Sequence, residues 1–140
     1  MKYIALDYGS KTVGVALSDE TGTIARGTEI IRRDKEKRLR KTLARIEEII
    51  VSEKVCEIVV GLPLNMDGSE GERSEKAREF ADMLVRRTGL PIHMVDERLT
   101  TVAADEIMDD ADIEDRKQRK ARVDAIAAAV ILQDFLDNRD

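Results

Sequence analysis

Apolar and polar positions alternate through the first third of the chain. Tyr3 to Asp7 is a short apolar run that ends on an acid, and Gly9-Ser10-Lys11 reads as a turn. From Thr12 to Ser18, Val13, Val15 and Leu17 fall on one face and Gly14 and Ala16 on the other, which is the period of a strand. Asp19 to Gly22 supplies a second turn. Thr23 to Ile31 makes a third strand, with a bulge expected near Gly27. Connections this short imply antiparallel hairpins.

The period then changes from two to that of a helix. Leu39, Leu43, Ile46 and Ile50 mark one stripe of a helix expected from about Asp34 to Glu53. Cys56 to Gly61 is a β-branched run suited to a strand covered on both faces. The loop from Leu62 to Gly71 holds Pro63, Asn65, Asp67, Gly68 and Ser69 and is expected to be exposed and mobile. Ala77, Phe80, Ala81, Leu84 and Val85 mark a second helix closed by Gly89, with Pro91 just beyond. Ile92 to Val95 is another strand, and Thr100 or Thr101 caps a helix expected to reach about Met108. A basic loop over 116–122 then leads into a last helix from Ala121 to Leu136. The order β-β-β-α-β-α-β-α-α predicts an α/β fold: three antiparallel strands, then parallel ones, in a mixed sheet with helices on both faces.

With 140 residues the chain reads as one domain, 1–140, large enough to bury a core without disulfides. Its 42% hydrophobic content excludes a disordered chain, although 38% of residues are charged. The single cysteine, Cys56, excludes a disulfide framework and points to a reducing compartment. The longest apolar run, Ala125 to Leu132, is far short of the ~20 residues that span a bilayer. The N-terminal apolar stretch stops at Asp7, too soon for a signal peptide. A soluble cytoplasmic protein without membrane contact is expected, as a monomer or weak homodimer.

The net charge of −5 conceals two basic blocks. Residues 32–45 carry eight cations against Asp34 and Glu36, and 116–122 carry five cations and no acid. The first block reads either as a solvated helix face or as a polyanion footprint. The second, which includes Arg116, Lys117, Arg119 and Lys120, lacks acidic partners at helical spacing and reads as a phosphate-contacting loop.

Three acidic positions sit where packing alone would not put them. Asp7 ends the first strand, Asp96 and Glu97 end the fifth, and Asp124 is expected in the first turn of the last helix, directly before its apolar body. Each has a structural alternative: a turn cap for Asp7, and partners of a helix dipole for the others. Together, at one edge of one sheet, they would repel and hold protons unless a divalent cation intervened. All-oxygen ligands favour Mg²⁺ or Mn²⁺. Zinc is disfavoured because His93 and Cys56 are the only His and Cys, and His93 alternates with Ile92 and Met94 in a structural position. No Walker loop, dinucleotide turn or nucleophile elbow occurs. Carboxylate-held metal acting on phosphate remains.

Four segments resemble the motifs of the YqgF family, proteins similar to Holliday-junction resolvases, also described as pre-16S rRNA nucleases. They are Leu6-Asp7-Tyr8-Gly9-Ser10-Lys11-Thr12-Val13-Gly14-Val15-Ala16, Val59-Val60-Gly61-Leu62-Pro63-Leu64-Asn65-Met66-Asp67-Gly68-Ser69, Asp96-Glu97-Arg98-Leu99-Thr100-Thr101 and Asp124-Ala125-Ile126-Ala127-Ala128. The resemblance spans essentially the whole chain. It implies a ribonuclease-H-like fold and a metal-dependent nuclease site at Asp7, Glu97 and Asp124, with Asp96 as the other acid of the Asp96–Glu97 pair. It further implies maturation of precursor 16S rRNA in a bacterial cytoplasm. Lys11 and Arg98, next to the acids in sequence, are expected to help hold the scissile phosphate. Alternatives are cleavage of four-way, branched DNA, and a non-catalytic RNA-binding module on the ribosome. A phosphate-binding hairpin like that of actin-like ATPases is also similar, but those proteins need two such domains.

Overall fold

Alternation in the first third builds β1 (Tyr3–Tyr8), β2 (Thr12–Ser18) and β3 (Ala25–Arg32), paired antiparallel in sequence order. Two crossovers follow, through α1 (Arg40–Glu53) and α2 (Glu72–Thr88). They lay β4 (Glu57–Leu62) parallel to β1, and β5 (Ile92–Asp96) parallel to β4. The sheet order is β3-β2-β1-β4-β5, and α3 (Arg116–Asn138) completes the fold. The computed structural model describes residues 1–97 and 116–139, with the backbone alone for 116–124.

Period-two alternation assigns each face of the sheet to its own helices. Ile4, Leu6 and Tyr8 of β1, Val13 and Val15 of β2 and Ile58 and Val60 of β4 pack against Leu43, Ile46, Ile49 and Ile50 of α1 and Phe80, Ala81 and Leu84 of α2. The residues between them, Tyr3, Ala5, Ala16 and Val59, pack against Ala128, Ile131, Leu132 and Leu136 of α3. Helices therefore cover both faces, and Asp7, in step with Tyr3 and Ala5, belongs to the α3 face.

Small residues let α3 come close. The expected bulge is present: Val15 lies opposite Glu29 but Ala16 opposite Gly27, which leaves Thr28 without a cross-strand partner. A Cβ built on Gly27 would lie 2.7 Å from the Ala125 carbonyl oxygen, so only glycine permits this approach. Gln133 donates to the Thr23 carbonyl and accepts from Ala25 N–H, both 2.9 Å, while Arg139 bonds Tyr3 Oη and the Gly22 carbonyl. The C-terminal end of α3 thus lies at the sheet end remote from Asp7, and its N-terminal half points back toward it.

Two boundaries differ from expectation. The first helix starts at Arg40, not near Asp34. Before Leu39 no residue belongs to the apolar stripe, and the backbone turns through Arg38 N–H to Lys35 carbonyl (3.0 Å) and Leu39 N–H to Lys37 carbonyl (3.1 Å). The Arg33 guanidinium also takes the Glu36 carbonyl at 3.2 Å, an acceptor that a continued helix would use. The basic stretch 116–122 is helical, not a loop, because Arg, Lys, Gln and Ala all favour helix and no Gly or Pro interrupts them. Asp124 is consequently not in the first turn, and the helix-dipole reading for it falls away. The helix expected from Thr100 or Thr101 to about Met108 lies outside the described residues. The loop 62–71 is exposed over most of its length, as expected, and ends where the Ser74 hydroxyl donates to the Pro63 carbonyl. Gly89, at φ +68°, closes α2.

Gly27→Ala tests the close approach of α3. Alanine would ordinarily gain ~0.4–1 kcal/mol from reduced freedom of the unfolded chain. Overpacking against the Ala125 carbonyl outweighs this, and urea denaturation should show a net loss of about 1–2 kcal/mol.

Candidate active site

Three parallel strands end at one edge of the sheet. Asp7 is the penultimate residue of β1, Gly61 and Leu62 close β4, and Asp96 closes β5. Glu97 N–H then donates to the Leu62 carbonyl at 3.2 Å, which carries the β5 register one residue further. On β5, Ile92 and Met94 pack toward α1 and α2 whereas Val95 packs toward α3. Glu97, two residues after Val95, shares the α3 face with Asp7. Asp96 points the other way and is exposed.

The Glu97 carboxyl group lies over Gly61. A Cβ there would come within 2.9 Å of Glu97 Cδ and 2.8 Å of Ile131 Cδ1. Gly61 is therefore the floor of the site, and any side chain in its place would evict the carboxylate or push α3 outward. Ile131 covers the group from above.

Burial and the neighbouring Asp7 charge push Glu97 up to about 9; a hydrogen bond with Asp7 and the Asp96 charge add to the rise, while the Arg73 guanidinium opposes it. At neutral pH the pair therefore shares a proton, with protonated Glu97 bonded to Asp7. This is how clustered carboxyl groups behave without a cation, and it fits the sequence argument for a divalent ion at this spot. Among the described residues no third carboxylate, His or Cys joins them. Asp124 stands on α3 one turn before Ala128 and two before Ile131.

Other expected residues divide. Lys11 is exposed in the β1–β2 turn at this same edge. Arg116, Lys117, Arg119 and Lys120 lie in the first turns of α3, and Arg98 lies outside the described residues. His93 is structural, as expected: Nε2 is 3.1 Å from Glu57 Oε1 and its ring lies 4.8 Å from that of Phe135. One group was not anticipated. The Tyr8 ring stacks on Phe80 at 4.5 Å and lies 4.9 Å from the Arg33 guanidinium and 5.7 Å from that of Arg73. Glu36 accepts from Arg73 at 2.6 Å, and Arg33 donates to the Gly9 carbonyl at 2.6 Å. Strand parity could have placed Glu97 and Asp7 on one face; nothing in the spacing of Arg33, Glu36 and Arg73 pointed to their meeting.

The raised Glu97 value has a measurable consequence in metal-free protein. Unfolded Glu97 ionises near 4.5 and folded Glu97 near 9, so between these the folded state holds an extra proton. Its contribution to stability is intact below about 4.5 and is lost as pH rises toward about 9. Glu97→Gln keeps the donor to Asp7 and cannot ionise. In chelator, urea denaturation should find this variant more stable than wild type at pH 8, with the margin shrinking toward pH 5.

Relatives of this chain agree in name. It is 58% identical over 137 residues to a protein of Agathobacter rectalis called "Putative pre-16S rRNA nuclease", covering 98% of this chain and 95% of that one. A protein of the same name from Lachnospira eligens is 50% identical over 139 residues, covering 99% of each. Among solved structures, Thermus thermophilus RuvC in complex with Holliday junction substrate superposes with a TM-score of 0.59 at 16% identity, covering 97% of this chain and 94% of that one. The fowlpox virus Holliday junction resolvase gives 0.58 at 15% identity, covering 99% and 100%. These two likenesses show the fold: the mixed sheet expected from the strand order, in the ribonuclease-H-like arrangement that the family resemblance implied. Residues 1–138 match the RuvX family, described as Holliday junction resolvase, and the chain belongs to that RuvX (YqgF) family.

Proposed function

We propose that this protein is a divalent-metal-dependent nuclease that hydrolyses phosphodiester bonds in the precursor of 16S rRNA. The observation that carries the reading is the contact between the Asp7 and Glu97 carboxyl groups at the ends of parallel strands. Its substrate comes from the names of relatives at 58% and 50% identity. No described helix is long and apolar enough to cross a membrane.

Asp7 and Glu97, with Asp124 from α3, would hold Mg²⁺ or Mn²⁺, for which all-oxygen ligands are suited. A divalent cation held there supplies an activated water and stabilises the leaving oxygen. Asp7 would be the central ligand, with Glu97 offered from the end of a strand and Asp124 from the helix. Gly61 leaves room for the Glu97 carboxyl group, and Ile131 lies beside it. Lys11, Arg98 and the helical Arg116, Lys117, Arg119 and Lys120 would hold the substrate's phosphates. Substrate binding is then separable from chemistry, because the cations and the acids are different residues.

Incubation with precursor rRNA and with a synthetic four-way DNA junction, in Mg²⁺ or Mn²⁺, tests the reading. The rRNA should be cut, and Asp7→Asn should lower turnover by roughly 10³-fold, the equivalent of several kcal/mol of metal-dependent stabilisation. RNA affinity of Asp7→Asn should hold or rise, since one acid facing phosphate is gone. Cleavage of the junction alone would reassign the substrate to branched DNA. Cleavage of neither would leave a binding module.

A further inference from the structure

Residues 32–41 hold seven cations and two acids; only Arg40 and Lys41 lie on α1, and the rest precede the helix instead of forming the solvated helix face that the charge run allows. Arg32 ends β3 opposite Thr12, and Arg33 N–H donates to the Lys11 carbonyl at 2.8 Å, so the segment departs from the edge that carries Asp7. It is tied there at two points. Arg33 grips the Gly9 carbonyl, two residues beyond Asp7, and lies over Tyr8. Glu36 binds Arg73 in the first turns of α2, and Arg73 is near enough to Glu97 to act on its ionisation.

The remaining cations of this strap, Arg32, Lys35, Lys37, Arg38, Arg40 and Lys41, are all exposed and enter no ion pair among the described residues. Outside the strap, Arg45 is paired with Glu29, Arg78 with Glu70 and Arg87 with Glu47, while Arg26, Arg86 and Arg139 stand apart in the sequence and enter no ion pair among the described residues. An acidic chain that leaves six like charges unpaired on one anchored segment sets up a local positive field at one place. Self-repulsion makes this arrangement unfavourable unless a polyanion lies on it.

We infer that residues 32–41 form a phosphate track that binds the nucleic-acid backbone flanking the cleavage point. The inference rests on the nuclease reading for its partner. Contacts of this type position a strand without reading its sequence. The strap lies at the sheet edge that carries the carboxyl pair, with Glu36 and Arg33 holding the segment and the six exposed cations contacting phosphates. It is separate in sequence from the basic stretch 116–122.

The test is the salt dependence of binding, without metal and therefore without cleavage. Fluorescence anisotropy with labelled single-stranded RNA of mixed sequence, and with the matching DNA, compares three proteins. They are wild type, the triple variant Lys35→Gln/Lys37→Gln/Arg38→Gln, and a control, Arg26→Gln/Lys54→Gln/Arg86→Gln, which removes the same charge at the other end of the sheet. Each lost phosphate contact lowers the slope of log affinity against log salt by about 0.7, so the track variant should lose about 2 from its slope and the control nothing comparable. An equal loss with RNA and DNA identifies the backbone as the ligand, and a loss with RNA alone assigns the track to RNA. A wild-type slope in the track variant, or an equal loss in the control, overturns the inference. A wild-type slope in a protein that still cuts precursor rRNA leaves the nuclease reading standing. A reduced slope in a protein that cuts nothing leaves the track standing without it.

Discussion

The Asp7 and Glu97 carboxyl groups touch because three constraints meet at Gly61. Parallel pairing ends β1, β4 and β5 at one edge, strand parity turns both acids toward α3, and the missing side chain leaves room for the second carboxyl group. Two acids this close cannot both ionise in a partly dry site, so Glu97 keeps its proton to about 9. A fold that maintains such a pair is less stable at neutral pH than one with a neutral residue there. That cost is intelligible if a cation of charge two takes the proton's place.

Packing supports this arrangement from both sides. On the α1–α2 face, Tyr8 is clamped between Phe80 and the arginine pair, which fixes the end of β1 directly after Asp7. On the other face, Gly27 and the bulge beside it let α3 settle onto the sheet and bring Ile131 over Glu97. The opposite end of the sheet has a different character. There Glu57, His93, Tyr3, Phe135 and Arg139 form a network that closes the structure and leaves His93 no part in the chemistry. Charge is divided in the same sense, with an acidic molecule overall and an unpaired basic strap at the edge of the carboxyl pair, which favours approach of a polyanion from that side.

Much of this was legible in the residues. Alternation in β1, β2 and β3 is clean because each face has its own helical layer, and the bulge showed as Gly27 within an otherwise regular strand. Gly89 marked the end of α2 for the usual reason of left-handed backbone. Charged stretches were misread in both directions. The start of α1 moved to Arg40 because long-range bonds of Arg33 and Glu36 compete for a segment whose local preference is helical. The stretch 116–122 is helical because its Arg, Lys, Gln and Ala residues all favour helix. Asp7 and Glu97 stood out singly as acids at strand ends, but their contact is set by sheet topology across ninety residues, which no local period contains. The resemblance to a known family named the acids; parity and Gly61 explain why Glu97 and not Asp96 meets Asp7.

Proton release on metal binding tests the central claim most directly. Calorimetric titration of Mn²⁺ at pH 7, in two buffers of different ionisation enthalpy, measures the protons expelled as the cation binds. The shared proton of the Asp7–Glu97 pair predicts release of about one proton in wild type and a much smaller release in Glu97→Gln. Mn²⁺ binding to wild type with the same heat in both buffers would contradict it, for the two carboxyl groups would then already be ionised and their contact would not be the constraint around which this site is built.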